Sequence, residues 1–126
     1  MKSNETENVS SDRRSHRVRD IIENIEAIET YAGSVTLAEF SADRMRVDAV
    51  ERCLQRLTEA AIKIGDEGMA EVAPSVPFHV LRGFGNVLRH DYDGIDDQLI
   101  FDTIERDLPG LKQACKAYLR AIGGED

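Results

Sequence analysis

Arg82, Asn86, Arg89, His90 and Tyr92 fall within residues 82–94, a stretch that closes on the turn signal Asp93-Gly94. Two guanidinium groups, a carboxamide, an imidazole and a phenol are the groups that phosphoryl chemistry uses. The cations and the amide can stabilise negative charge on phosphoryl oxygens, and an imidazole can move protons near neutral pH. From His79 to His90 there is no acidic side chain, although the chain as a whole carries 24 acidic residues against 16 basic ones and a formal charge of -8. A local cationic face on an acidic protein suits an anion such as phosphate. General coating of nucleic acid needs a wide basic surface, so any RNA contact must be local, and DNA is not an expected partner.

The elements that must position these groups read as helices. Residues 1–14 are polar and aperiodic, which predicts a flexible tail, and residues 124–126 read as a second short tail, leaving 15–123 as a single domain. Val18, Ile21, Ile22, Ile25, Ile28, Tyr31 and Ala32 recur every three or four residues, the stripe of an amphipathic helix that stops near Gly33. Thr36 and Glu39 form a capping-box pair for a short turn through Phe40. Val47, Val50, Leu54, Leu57, Ala61 and Ile64 predict a second long helix, with Asp43 as its cap and Gly65 as its stop, and Gly65 to Pro77 reads as a loop. Val80, Leu81, Phe84, Val87 and Leu88 give a third stripe. Ile100, Ile104, Leu108, Leu111, Cys115, Tyr118, Leu119 and Ile122 give a fourth, which Pro109-Gly110 should kink or split. No strand pattern or internal repeat is visible. The fold class is therefore all-α: an up-and-down four-helix bundle, or five helices if Pro109 divides the last.

Composition narrows the setting. A chain of 126 residues with 41% apolar content can bury a real core. It lacks any apolar run of membrane-spanning length and any signal-peptide pattern, so the expected location is cytoplasmic, with no membrane partner. Cys53 and Cys115 lie in helical apolar patterns and read as reduced, buried thiols, and no spacing suggests a metal or a cofactor. Glu51 and Glu59 read as carboxylates on a solvated helix face.

On a helix turning about 100° per residue, Arg82, Asn86 and Arg89 or His90 share one side, and Val80, Phe84, Val87 and Leu88 face elsewhere. His90 at the end of this helix would be favoured in its protonated form by the carboxyl-end dipole and the nearby carboxylates. Plainer roles exist for each residue: solvated charge for the arginines, a seam hydrogen bond for Asn86, a helix-end contact for His90, and packing under the turn for Tyr92.

The stretch Gly85-Asn86-Val87-Leu88-Arg89-His90-Asp91-Tyr92 resembles the signature of the HepT-like group of HEPN proteins, in which an arginine, usually followed by asparagine, precedes a histidine by five positions and a tyrosine stands two residues after it. Arg19-Asp20-Ile21-Ile22-Glu23-Asn24-Ile25 is similar to the first helix of that family. Asp48-Ala49-Val50-Glu51-Arg52 and Glu59-Ala60-Ala61 are similar to its second, and Asp107-Leu108-Pro109 to its last. The resemblance implies a homodimeric bundle whose paired signature helices line an inter-subunit cleft. It also implies a metal-independent endoribonuclease that acts as a toxin and needs no cofactor. The partner it implies is a minimal nucleotidyltransferase antitoxin, which adds AMP to the residue matching Tyr92. In that chemistry His90 takes or gives a proton at the ribose 2′-hydroxyl or the leaving oxygen, and cleavage leaves a cyclic phosphate.

The chain departs from the signature at one position. Five residues before His90, where the family carries its arginine, stands Gly85, with Arg82 and Arg89 as the available substitutes. Three readings follow: a ribonuclease toxin using His90 with Arg82 or Arg89 and Asn86; a catalytically weak module that binds a nucleotidyltransferase and offers Tyr92; and a bundle that holds a small nucleotide.

Overall fold

The structure is a computed structural model that describes the backbone of residues 2–77 and 97–123, and the side chains of 13–77 and 97–123. Its described residues form five helices and no strand: α1 (Lys2–Ala32), α2 (Leu37–Ala42), α3 (Arg44–Val72), α4 (Asp97–Arg106) and α5 (Leu108–Ala121). The all-α bundle is thus observed. The third stripe expected from the sequence lies outside the described residues.

The long stripes pack as their spacing requires. Val18, Ile21, Ile25 and Ile28 of α1 meet Val47, Val50, Leu54 and Leu57 of α3 in one core, all with no exposed surface. α5 adds Leu111, Cys115 and Leu119 from the side of α1. Burial of such side chains contributes roughly 1.5–3 kcal/mol each before the loss of chain entropy is set against it. Tyr31 and Ile122, expected in the stripes, are instead 41% and 47% exposed, each at the carboxyl end of its helix.

Local chemistry sets the boundaries. Gly33 closes α1 with its N–H donating to the Glu29 carbonyl at 2.9 Å. The capping box at α2 is complete: Glu39 N–H donates to Thr36 Oγ1 at 3.1 Å, and the Glu39 carboxylate accepts from Thr36 N–H at 2.9 Å. Phe40 of this short helix packs on Phe101 of α4 with ring centroids 5.8 Å apart. Asp43 caps α3 by accepting from Arg46 N–H at 3.2 Å. The break expected at Pro109 falls at Asp107, and the proline occupies the first turn of α5, where its missing donor costs no hydrogen bond.

Two expectations are corrected. α1 begins at Lys2, so the backbone of residues 2–14 is helical where the sequence predicted a flexible tail. Once residues 18–32 are nucleated by packing, each added residue gains a helical hydrogen bond at little further cost, and polar residues need no apolar stripe to join. Gly65 does not end α3. The chain turns there at φ 87°, ψ 166° and then resumes a helix to Val72, so 66–72 is helical and not loop. Gly68, Met69 and Val72 are buried in that continuation.

Candidate functional site

Arg82, Gly85, Asn86, Arg89, His90 and Tyr92 all lie in residues 78–96, outside the described residues. What is described is the frame on either side. The chain enters from the carboxyl end of α3, where Ala73 N–H donates to Met69 O at 2.8 Å and Val76 N–H to Ala73 O at 3.1 Å, with Ala73 buried. It returns at Asp97, whose carboxylate is 3.9 Å from Arg44 at the opposite, amino end of α3. Entry and exit are therefore separated by most of the length of α3.

The entry side is tightly built. A Cβ on Gly68 would stand 2.5 Å from Ile64 Cγ2 and 3.4 Å from the Arg14 guanidinium, so any larger residue there would have to push the Ile64 side chain aside. Arg14 in turn lies beside Tyr118 of α5 and pairs with Glu71 at 2.5 Å, neighbours that hold its guanidinium protonated more firmly than usual. One side chain of α1 thus pairs with α3 beyond the kink and stands next to α5.

The exit side is electrostatically tense. Partial burial pushes the Glu51 carboxyl up from its ordinary range, Asp48 and Asp97 add to the shift, and Arg44 opposes it. Glu51 is half-buried, which corrects its reading as a solvated carboxylate, whereas Glu59 is exposed as expected. Burial also pushes the Cys115 thiol up to about 12 and raises that of Cys53, so both are inert apolar fillers and not nucleophiles. Among the described residues no group of three His, Cys, Asp or Glu side chains is placed to hold a metal. No helix there is long and apolar enough to cross a membrane.

One polar grouping escaped the sequence reading. Arg17, Asp20 and Asn24 of α1 face Arg56, Glu59 and Lys63 of α3 across a groove. Each trio has intervals of three and four residues, a signal present in the sequence, but their meeting depends on the register in which α1 and α3 pack.

Comparison with known proteins supplies what the frame alone does not. Residues 21–118 match the Ribonuclease HepT-like family, a span that runs from the packed part of α1 through the signature segment to Tyr118. The chain belongs to this family, within the HEPN superfamily. It is 30% identical to a Methanocaldococcus jannaschii protein provisionally named an RNase, over 85% of this chain and 88% of the relative. It is also 30% identical to a Thermococcus cleftensis protein provisionally named ribonuclease HepT, over 79% and 92%. A Caldanaerobacter subterraneus protein, again provisionally named an RNase, is 25% identical over 79% and 88%. No solved structure matches. Ribonuclease activity is thereby supported at the level of the family.

Proposed function

We infer that this protein is the ribonuclease toxin of a toxin-antitoxin pair, active in the cytoplasm as a homodimer whose two signature segments line a shared cleft. The observation that carries the reading is that the family match spans residues 21–118 and so includes Asn86, His90 and Tyr92 in their signature order. His90 acts as the proton-transfer group on the ribose 2′-hydroxyl or the leaving oxygen, and Asn86 with Arg82 or Arg89 stabilises charge on the phosphoryl oxygens. The products are a 2′,3′-cyclic phosphate and a free 5′-hydroxyl, and the cut requires no metal. A nucleotidyltransferase antitoxin silences the enzyme by transferring AMP from ATP to the Tyr92 phenol, the phenol losing its proton and pyrophosphate leaving, which adds bulk and negative charge beside the cationic face.

The test is RNA cleavage by the purified protein in the presence of a chelator. His90→Ala should lower the rate by about 10²–10⁴-fold, the usual contribution of a general acid or base. Arg82→Ala and Arg89→Ala should show which guanidinium replaces the one absent at Gly85. Undiminished cleavage by His90→Ala would end the catalytic reading. Gly85 itself favours a second reading, a module that does not cleave but binds the transferase and presents Tyr92. It is distinguished by AMP added to wild type and not to Tyr92→Phe, with no cleavage by either.

A further inference from the structure

α1 and α3 pack closely along their apolar stripes, and above that seam their polar edges leave a groove of about 260 Å³. Its floor is Ala60, 4% exposed, whose methyl group leaves open a depression that a longer side chain would fill. Arg17 stands on the α1 rim, and Arg56 and Lys63, seven residues and so almost two helical turns apart, stand on the α3 rim.

The pairing of these charges is incomplete. Arg17 reaches Asp20 only loosely, at 3.8 Å. Neither Arg56 nor Lys63 forms an ion pair among the described residues, and neither does Glu59. Asn24 spends one amide hydrogen on the Asp20 carbonyl at 2.8 Å, which leaves its side-chain oxygen as an acceptor. Three cations would repel a bare cation, and two carboxylates would repel a simple anion. A ligand that satisfies both sets carries a phosphate and, beside it, hydroxyl donors. The volume lies below the roughly 300–1,000 Å³ of small-molecule pockets, which suits one sugar-phosphate unit and not a whole cofactor.

We propose that the groove between α1 and α3 is an RNA-backbone subsite, in which Arg17, Arg56 and Lys63 hold a phosphate and Glu59 or Asp20 accepts from the ribose 2′-hydroxyl. The proposal rests on RNA being the substrate, as inferred above, and places a second contact outside the signature segment. The 2′-hydroxyl is the group that separates RNA from DNA at such a contact, so the carboxylates supply discrimination and the cations supply affinity.

The experiment is fluorescence-anisotropy binding of a short labelled oligoribonucleotide and its deoxyribo counterpart to the full chain carrying His90→Ala. Gel analysis of the recovered oligonucleotide reports on the cleavage reading separately. Adding Arg56→Ala and Lys63→Ala should weaken RNA binding about tenfold, one rung of affinity. It should also flatten the dependence of log K on log salt by at least about 0.7, the value for one phosphate on a single strand. Glu59→Gln should leave the salt slope in place and bring RNA and DNA affinities together. These side chains are exposed, so the helical circular dichroism signal should not change. Parental affinity and slope in the double variant would overturn the subsite, as would an unchanged RNA-to-DNA ratio in both Glu59→Gln and Asp20→Asn. Displacement of the RNA by adenosine monophosphate as effectively as by unlabelled RNA would overturn its assignment to a polynucleotide.

Discussion

Before Gly65, α3 buries Val47, Val50, Leu54, Leu57 and Ala61 at regular intervals of three and four, and any long helix with that stripe would find a partner. Beyond Gly65 the same helix buries Gly68, Met69 and Val72, with Gly68 close against Ile64 and against Arg14 of α1, and Arg14 pairs with Glu71. The first part is positioned by its own periodicity and the second by what other helices bring to it. The difference matters because the second part delivers the chain to the signature segment, whereas the first anchors the core. Both stretches therefore feed the core, and the second also sets where the chain enters the signature segment.

Substitutions on the two sides of the kink should separate these roles. Leu54→Ala, at a side chain with no exposed surface, should cost about 2–5 kcal/mol in urea unfolding, the largest effect expected. At Gly65 an added Cβ meets nothing within 4 Å, so the penalty of Gly65→Ala is purely one of backbone conformation, about 1–3 kcal/mol for this glycine-only region. Gly65→Asn should cost as much, since asparagine tolerates the left-handed helical region but not ψ 166°. On the reading proposed above, both Gly65 variants should lose RNA cleavage several degrees below their melting temperatures, while Leu54→Ala loses it only on unfolding. Parallel loss of activity and fold in all three would erase the distinction.

How much of this was legible in the sequence follows the same line. Stripes, caps and the break near Pro109 could be read because each depends on residues within a turn or two: Thr36 with Glu39, Asp43 with Arg46, Asp107 before Pro109. The helix after Gly65 could not, because glycine there gives the same local signal whether the chain stops or merely turns, and Met69 and Val72 become core only through packing in the assembled bundle. The helical backbone of residues 2–14 escaped for a related reason, since propagation from a packed helix leaves no apolar pattern. The signature residues were legible as a motif, but their geometry lies outside the described residues. The groove shared by α1 and α3 was invisible, since charged residues spaced like Arg56 and Lys63 occur on most solvated helix faces.

Gly68 refines the comparison further, because its constraint is steric and not conformational. Gly68→Ala should cost about 1 kcal/mol, the roughly 1–3 kcal/mol of overpacking against Ile64 and Arg14 less the ~1 kcal/mol that alanine gains over glycine in a helix. In an Ile64→Ala background the clashing Cγ2 is gone, so the same substitution should become neutral or stabilising. A coupling near zero in this cycle of urea midpoints would mean that the part beyond the kink is not held where the contacts place it.

The smallest expected effect belongs to the first part of α3, where periodic packing leaves one electrostatic weakness. Glu51 has a folded-state pKa above its ordinary 4.5, so folding favours the neutral carboxyl. Its contribution to stability is full below 4.5 and is lost as the pH rises through the raised value, leaving a cost at neutral pH. Glu51→Gln should therefore stabilise the protein at neutral pH, by no more than about 0.5 kcal/mol for so accessible a group, and the gain should vanish below 4.5. A gain that persisted in acid would trace to packing or helix propensity. A loss at neutral pH would mean that Arg44 outweighs burial and the carboxylates of Asp48 and Asp97, and that α3 and α4 are joined by attraction where the chain leaves the signature segment.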